Sequence, residues 1–495
     1  MKVSRHFLLC SCCIAGASFL VGAGGAAKYE AKWESLDGRQ SPKWFEDAKF
    51  GIFIHWGVYS VPAWGPKDQY SEWYWRRSHE SATELNDSEW AEFHKRVYGA
   101  DFSYFDFAKK FTCEMFEPDQ WADIFVRSGA RYVVLTSKHH DGFCLWPSKE
   151  ANKTWGRKWN SVDAGPGRDL LGELTEAVRK TDVKMGFYYS LYEWFNPLWL
   201  ADRQRYVAEH MIPQFKDAVN RYKPSIVFSD GEWDMSDKEW RSEEIAAWVY
   251  NESPCRDEVI LNDRWGKGTR HHHGDYYTTE YGAGLPNASK AWEECRGIGH
   301  SFGYNRNETI DDYKSSRELL LMFLDLVSRG GNLLLDIGPT SDGRIPVIMQ
   351  ERLLDIGEWL KVNGEAIYGS RSWKETCQWS EGVQPGQEFK EYKAKYDVLD
   401  VLGRRPKDGK AVKEILFTQK AGSVYAIVTV WPKERLVVKG VSPAKDVKVT
   451  MPGREGELPW VKKDGTMVID LSSISHNDLP CKWAWVFRIE GNIGK

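Results

Sequence analysis

The 495-residue chain has no excess of either charge. Its 67 lysines and arginines face 71 aspartates and glutamates, a net charge of −4. It therefore lacks the basic surplus that phosphate backbones demand, and a nucleic-acid partner is excluded. Cysteine is sparse. Of nine, Cys10, Cys12 and Cys13 lie near the start; the other six (Cys113, Cys144, Cys255, Cys295, Cys377, Cys481) are far apart and form no CxxC pair. A metal cage is not expected from that spacing, and a chain of this length needs no dense disulfide scaffold, although export leaves room for one or two bridges. Beyond the first 27 residues no stretch is apolar enough to span a bilayer. Internal repeats, low-complexity linkers and HExxH-type metal spacings are also missing.

Other features are plentiful. Apolar residues make up 42% of the chain, enough for a sizeable core, and the aromatic count is high, with 25 Trp, 22 Tyr and 22 Phe. Such rings suit flat, partly apolar ligands such as sugars, or else a heavily packed scaffold. Met1, Lys2 and Arg5 precede an apolar run from Phe7 to Val21 and then small residues from Gly22 to Ala27. This is the layout of a secretory signal over residues 1–27, so the chain is expected to be exported, to the periplasm, the cell exterior or the lysosome according to its source. Asn86, Asn152, Asn287 and Asn307 carry Asn-x-Ser/Thr sequons, which matter only in a eukaryotic secretory pathway.

Two textures divide the rest. Between residues 50 and 339, runs rich in Ile, Val, Tyr and Phe at 50–56, 131–138, 184–190, 225–230, 259–264, 276–280, 298–304 and 333–337 alternate with helical patterns at 118–128, 168–179, 201–222, 238–250 and 311–328. Eight strand–helix units predict an α/β fold, a (β/α)8-like TIM barrel, irregular at units five to seven where the helices are weak. After Trp373 the segments 412–419, 423–431, 446–451, 466–471 and 482–489 alternate without helical period, which predicts a C-terminal antiparallel β-sandwich. The expected domains are a barrel over 28–372 and a sandwich over 373–495.

In such a barrel the reacting groups sit where strands end. The predicted ends carry His55, His139 with His140, Tyr188, Asp230, Arg264, Glu280, Phe302 and Asp336. Polar residues begin wherever strands stop, so each alone says little; their joint occurrence points to an enzyme mouth. Asp230 ends the apolar run SIVFSD before Gly231, and Glu280 ends DYYTTE amid aromatic residues, where burial is expected to keep it protonated. An ionised carboxylate paired with a protonated one is the equipment of glycoside hydrolysis. His139 and His140, being adjacent, are expected to point apart and not to share an ion. No metal ligand set and no cofactor site is expected, and His271–His272–His273 reads as a solvated loop.

Nine stretches then match a known family in order. They are WFEDAKFGIFIHWGVYSVPAW (44–64), SEWY (71–74), YVVLTSKHHDGFCLWPS (132–148), RDLLGEL (168–174), GFYYS (186–190), VFSDGEW (227–233), LNDRWG (261–266), AWEECRGIGHSFGYNRNE (291–308) and GGNLLLDIGPTSDG (330–343). Together they closely resemble the α-L-fucosidases of glycoside hydrolase family 29. The resemblance implies a retaining exo-enzyme acting on fucosylated glycans through a covalent fucosyl-enzyme. Asp230 would be its nucleophile and Glu280 its acid/base, with Glu293 of AWEE as second candidate. His55, Glu72, Trp73, His139, His140, Tyr188 and Arg264 would grip the sugar, and Phe302 would lie near its methyl group. Phe228 stands where many members carry Trp, which keeps an apolar wall but removes an indole donor. Linkage preference is expected to reside in the rim loops 66–80, 149–160 and 282–290. A fucose-binding protein on a decayed barrel, a metal-assisted hydrolase and a purely structural secreted protein explain the carboxylate pair less well.

Overall fold

The protein is described by a computed structural model covering residues 28–79, 88–282, 284–285, 288–386, 389–390, 393–394 and 397–494. The segment 1–27 expected to be a leader and the sequons at Asn86 and Asn287 lie outside the described residues. Eight strands, β1 (Phe50–Ile54), β2 (Tyr132–Lys138), β3 (Lys184–Ser190), β4 (Ile226–Asp230), β5 (Ile260–Leu261), β6 (Tyr277–Glu280), β7 (Trp292–Gly297) and β8 (Asn332–Ile337), form one parallel sheet in the order β5-β4-β3-β2-β1-β8-β7-β6. Nearly every residue in these strands is buried, as expected where helices cover one face and the barrel interior fills the other. This is the expected (β/α)8 fold.

The irregularity falls at two of the three units where the sequence places it, the fifth and sixth, while the seventh carries a full helix. Helices Pro118–Arg127, Leu170–Val178, Ile212–Tyr222, Ser242–Asn251 and Ser316–Ser328 follow β1, β2, β3, β4 and β7, and Val347–Asn363 follows β8. The stretches after β5 and β6 contain no helix among the described residues. β5 and β6 share no ladder either; instead Asp275 closes the seam. Its backbone N–H donates to Leu261 O at 2.9 Å and its carboxylate accepts from Leu261 N at 2.8 Å. Arg39, from the segment ahead of β1, pairs with the same carboxylate at 3.0 Å, both side chains being buried.

Three local readings are corrected or refined. The seventh strand is Trp292–Gly297, not 298–304. Its Glu293, Glu294 and Arg296 look like loop residues, yet all are buried: Tyr132 donates to Glu293, and Thr279 donates to Glu294 at 3.1 Å. The helix expected over 201–222 is present as one continuous run from Arg203 to Tyr222, widened to a π turn at Val207–Met211. In the histidine loop His272 is exposed as expected, but His271 and His273 are half-buried and partnered: the first bonds Thr278 O at 2.9 Å, and the second meets Asp37 at 2.8 Å and stacks on Trp33.

The C-terminal part is the expected antiparallel sandwich. Strands β9 (Arg371–Trp379), β12 (Lys413–Lys420), β13 (Ser423–Val428), β15 (Lys448–Thr450) and β18 (Trp485–Glu490) form a five-stranded sheet. Strands β14 (Arg435–Lys439), β16 (Trp460–Lys463) and β17 (Thr466–Asp470) form a three-stranded one, and Phe389–Lys390 (β10) pairs with Lys393–Ala394 (β11) as a small hairpin. Ile415, Phe417, Val438, Ile469 and Phe487 contribute to the core of this part. Polar contacts fasten it to the barrel: buried Lys413 pairs with buried Asp325 at 2.5 Å, and Trp359 donates to Ala484 O at 2.9 Å.

Candidate active site

A cavity of about 270 Å³ opens at the C-terminal end of the barrel strands and is lined by all eleven site residues expected from the sequence: His55, Glu72, Trp73, His139, His140, Tyr188, Phe228, Asp230, Arg264, Glu280 and Phe302. Phe53, Tyr70, Trp233, Arg270 and Cys295 line it as well. Strand parity explains much of this. Tyr188 and Phe228 are register partners on β3 and β4, and both point into the barrel with Phe53.

Asp230 ends β4 at the centre of the charge pattern. Arg264 Nη1 donates to its Oδ1 at 3.0 Å and Tyr188 Oη donates to Oδ2 at 3.0 Å, while Arg270 lies 3.8 Å away. Burial opposes ionisation here, but the Arg264 and Arg270 charges outweigh it and hold the carboxyl below its usual range. The next residue must be glycine. Gly231 has φ +77°, and a Cβ there would lie 2.5 Å from the Tyr192 ring.

Glu280 ends β6 facing Asp230. Tyr70 Oη donates to its Oε1 at 3.1 Å and Arg264 Nη2 to its Oε2 at 3.3 Å, with 15% of the side chain exposed. Its surroundings therefore include a guanidinium as well as the expected aromatic rings. One guanidinium spans the two carboxylates. Arg264 is itself fixed from both sides: its Nε donates to Thr278 Oγ1 at 3.0 Å, and its carbonyl accepts from Ser229 Oγ at 2.7 Å. Its guanidinium carbon also sits 4.8 Å from the Phe228 ring centroid, a cation–π contact that the phenyl ring retains in place of indole. Glu293 does not reach the cavity. It sits two residues below Cys295 on β7, fully buried, and burial pushes it up to about 8.

The histidines depart from the simple strand rule. A register shift between Thr136 and Lys138, and a turn in which Gly142 N donates to His139 O, take the chain out of strand geometry. Both His139 and His140 consequently face the cavity, their ring centroids 4.2 Å apart. His140 Nδ1 is 2.6 Å from Ser190 Oγ, and His55 Nδ1 is 2.6 Å from Asp336 Oδ1 on β8. Burial drives all three imidazoles well below their ordinary value, so they are neutral near pH 7. His139 Nδ1 is buried without a hydrogen-bond partner among the described residues. Glu72 accepts from Gly303 N at 2.8 Å, and burial pushes it up to about 7.

The aromatic residues divide between wall and scaffold. Phe302 stacks on His55 with centroids 4.9 Å apart, and Trp73 stacks on Trp233 at 6.0 Å. Trp56, Trp121 and Trp146 are buried away from the cavity. Five lining residues fall outside the strand-end reading: Tyr70, Trp233 and Arg270 are carried by loops, and Phe53 and Cys295 lie within strands β1 and β7. The sequence signal was proximity: Trp233 follows Asp230 by three positions, and Arg270 follows Arg264 by six.

Two carboxylates at the ends of β4 and β6, joined by one arginine in a small cavity of neutral imidazoles and aromatic rings at a barrel mouth, define a glycoside hydrolase. Comparison with known proteins is specific. The family profile described as Alpha-L-fucosidase matches residues 20–365 and that described as Alpha-L-fucosidase C-terminal domain matches 408–490. The chain belongs to the α-L-fucosidase family. It is 42% identical to an alpha-L-fucosidase of Branchiostoma floridae over 95% of this chain and 98% of that protein. It is 41% identical to the tissue alpha-L-fucosidase of Homo sapiens over 94% and 92%, and 40% identical to the plasma alpha-L-fucosidase of Rattus norvegicus over 94% and 94%. The Thermotoga maritima alpha-fucosidase, solved with a mechanism-based inhibitor, superposes with a TM-score of 0.75 at 34% identity, covering 93% of this chain and 99% of that one.

Proposed function

We propose that the protein removes terminal α-L-fucose from glycans by double displacement with retention of configuration. The observation that carries this reading is the Arg264 bridge between Asp230 and Glu280. A single guanidinium in contact with both carboxylates sets them across one small cavity, where a nucleophile and an acid/base can reach the same glycosidic bond. Asp230, kept ionised by its two arginines, is the nucleophile. Glu280 protonates the departing glycosidic oxygen, so that the leaving sugar exits on the Tyr70 side. Once the ester forms on Asp230 its negative charge is gone, and Arg264 then faces Glu280 alone. Glu280 then takes a proton from the incoming water.

The remaining groups hold the sugar. His55, His139 and His140 are neutral and offer ring nitrogens to hydroxyls, the unpartnered His139 Nδ1 among them. Glu72 holds the same layer, Trp73, Tyr188 and Phe228 wall the ring, and Phe302 receives the methyl group. Residues 1–27 act as an export leader, consistent with a plasma enzyme among the relatives. Residues 28–372 form the catalytic unit and 373–495 the sandwich. The experiment is hydrolysis of an aryl α-L-fucoside by Asp230→Gly. A loss of at least about 10³-fold in kcat/KM with an unchanged circular dichroism spectrum is expected; near-wild-type turnover sinks the nucleophile assignment.

A further inference from the structure

A second concavity of about 540 Å³ lies wholly within the C-terminal sheets, where the edge strand β14 approaches β9 and the loops that precede β12 and β14. Its size falls among typical ligand sites, about 300–1,000 Å³. Gln378 ties the two strands by accepting from Lys439 N at 2.8 Å and donating to Val437 O at 3.0 Å. The walls are basic. Arg404, Arg405, Lys433, Arg435 and Lys439 line the groove and are exposed, against the single acid Glu414. Buried Lys413 also touches it, but its ammonium is committed to Asp325.

These cations are only weakly balanced by neighbours: Asp470, opposite Arg435 on β17, is near enough to feel its charge but forms no ion pair with it. Arg404 reaches Asp400 only at 4.0 Å, and among the described residues none of Arg405, Lys433, Arg435 or Lys439 has a carboxylate within ion-pair distance. Like charges gathered around one concavity repel each other, and an anionic occupant relieves that repulsion. The groove also has an apolar side. Trp431 is half-buried, braced edge-on against Trp485 at 5.4 Å, and Val437 is 37% exposed. An aromatic face among cations suits a charged sugar better than an acidic peptide or a bare phosphate.

We infer that this groove is an accessory binding site for a sulfated glycan chain. The spacing of the charges favours a polyanion over a single terminal acid. Arg435 and Lys439 stand four residues apart on one face of an extended strand, about 13 Å, further than one carboxylate can serve. Sulfate esters stay ionised through the acidic range, and the paired Arg404 and Arg405 offer the fork geometry that suits tetrahedral and planar oxyanions. None of these residues lines the barrel cavity. The inference therefore does not rest on the fucosidase reading.

The test is calorimetric titration of the full chain with a size-defined sulfated hexasaccharide, its desulfated form, a sialylated trisaccharide and poly-L-glutamate. Sulfated-hexasaccharide binding that weakens with added salt is expected, with little binding of the other three. The double variant Arg435→Gln/Lys439→Gln should lose at least about tenfold in affinity, and Trp431→Ala should lose affinity without that loss of charge. Hydrolysis of an aryl α-L-fucoside should stay within about twofold of wild type in both, since neither touches the barrel mouth. No binding of the sulfated probe, unchanged affinity in the variants, or equal binding of polyglutamate or the sialylated sugar overturns the proposal.

Discussion

Arg264 donates through Nη1 to Asp230 Oδ1 at 3.0 Å, and its other terminal nitrogen faces Glu280 at 3.3 Å. In the proposed cycle this sharing gives the guanidinium two roles, first with the nucleophile and then with the base. Arg264→Lys keeps the charge but loses the fork. A lysine can serve one carboxylate or the other. Steady-state kinetics on an aryl α-L-fucoside should show a drop in kcat/KM of about 10²–10³-fold, and an unchanged kcat/KM removes the bridge from the mechanism.

Glu280 and Glu293 make opposite forecasts. Glu280→Ala should lose least on substrates whose leaving groups need no proton, and added azide should restore turnover because an anion can replace water without a base. Glu293→Gln removes a proton-holding carboxyl from the barrel interior but leaves the cavity intact, so kcat/KM should change by less than about tenfold. Leaving-group dependence and azide rescue in the Glu293 variant instead of the Glu280 variant reverse the assignment.

Stability should fall as the solution becomes alkaline. Burial pushes Glu72, Asp141 and Glu294 up to about 7 and Glu293 up to about 8. The folded chain thus holds protons that the unfolded chain has released. The buried histidines oppose this only weakly: at pH 6.5 each unfolded imidazole is about half protonated while the folded one is neutral, an opposing gain on raising the pH of about 0.4 kcal/mol per group that is exhausted above about pH 7.5. Each proton held only by the folded state costs about 1.4 kcal/mol per pH unit across its window. Thermal unfolding should therefore show a lower Tm at pH 8.5 than at pH 6.5, with a smaller drop in Glu293→Gln. A Tm that rises over that interval contradicts the buried-acid account.

What could be read from the chain followed from how each segment is buried. β1 and β4 are apolar on both faces, so FGIFI and IVFSD declare themselves, and the residues that close them, His55 and Asp230, came with them. β7 hid because WEECRG is half charged, and only the folded barrel supplies Tyr132, Thr279 and the protons that make those acids tolerable inside. His139 and His140 were separable as candidates but not as a pair, since the turn that brings them together lies beyond the strand. Tyr70 and Arg270 reach the cavity from loops, where no period marks a residue as inward-facing.

The central claim is a covalent intermediate on Asp230, and the anomeric form of the first fucose released tests it most directly. Proton NMR of an aryl α-L-fucoside digest, recorded before mutarotation, should show α-L-fucose appearing first and the β form growing in afterwards. β-L-fucose as the first product would mean a single displacement by water, and the Asp230–Arg264–Glu280 arrangement would then have to be read as a general-base pair.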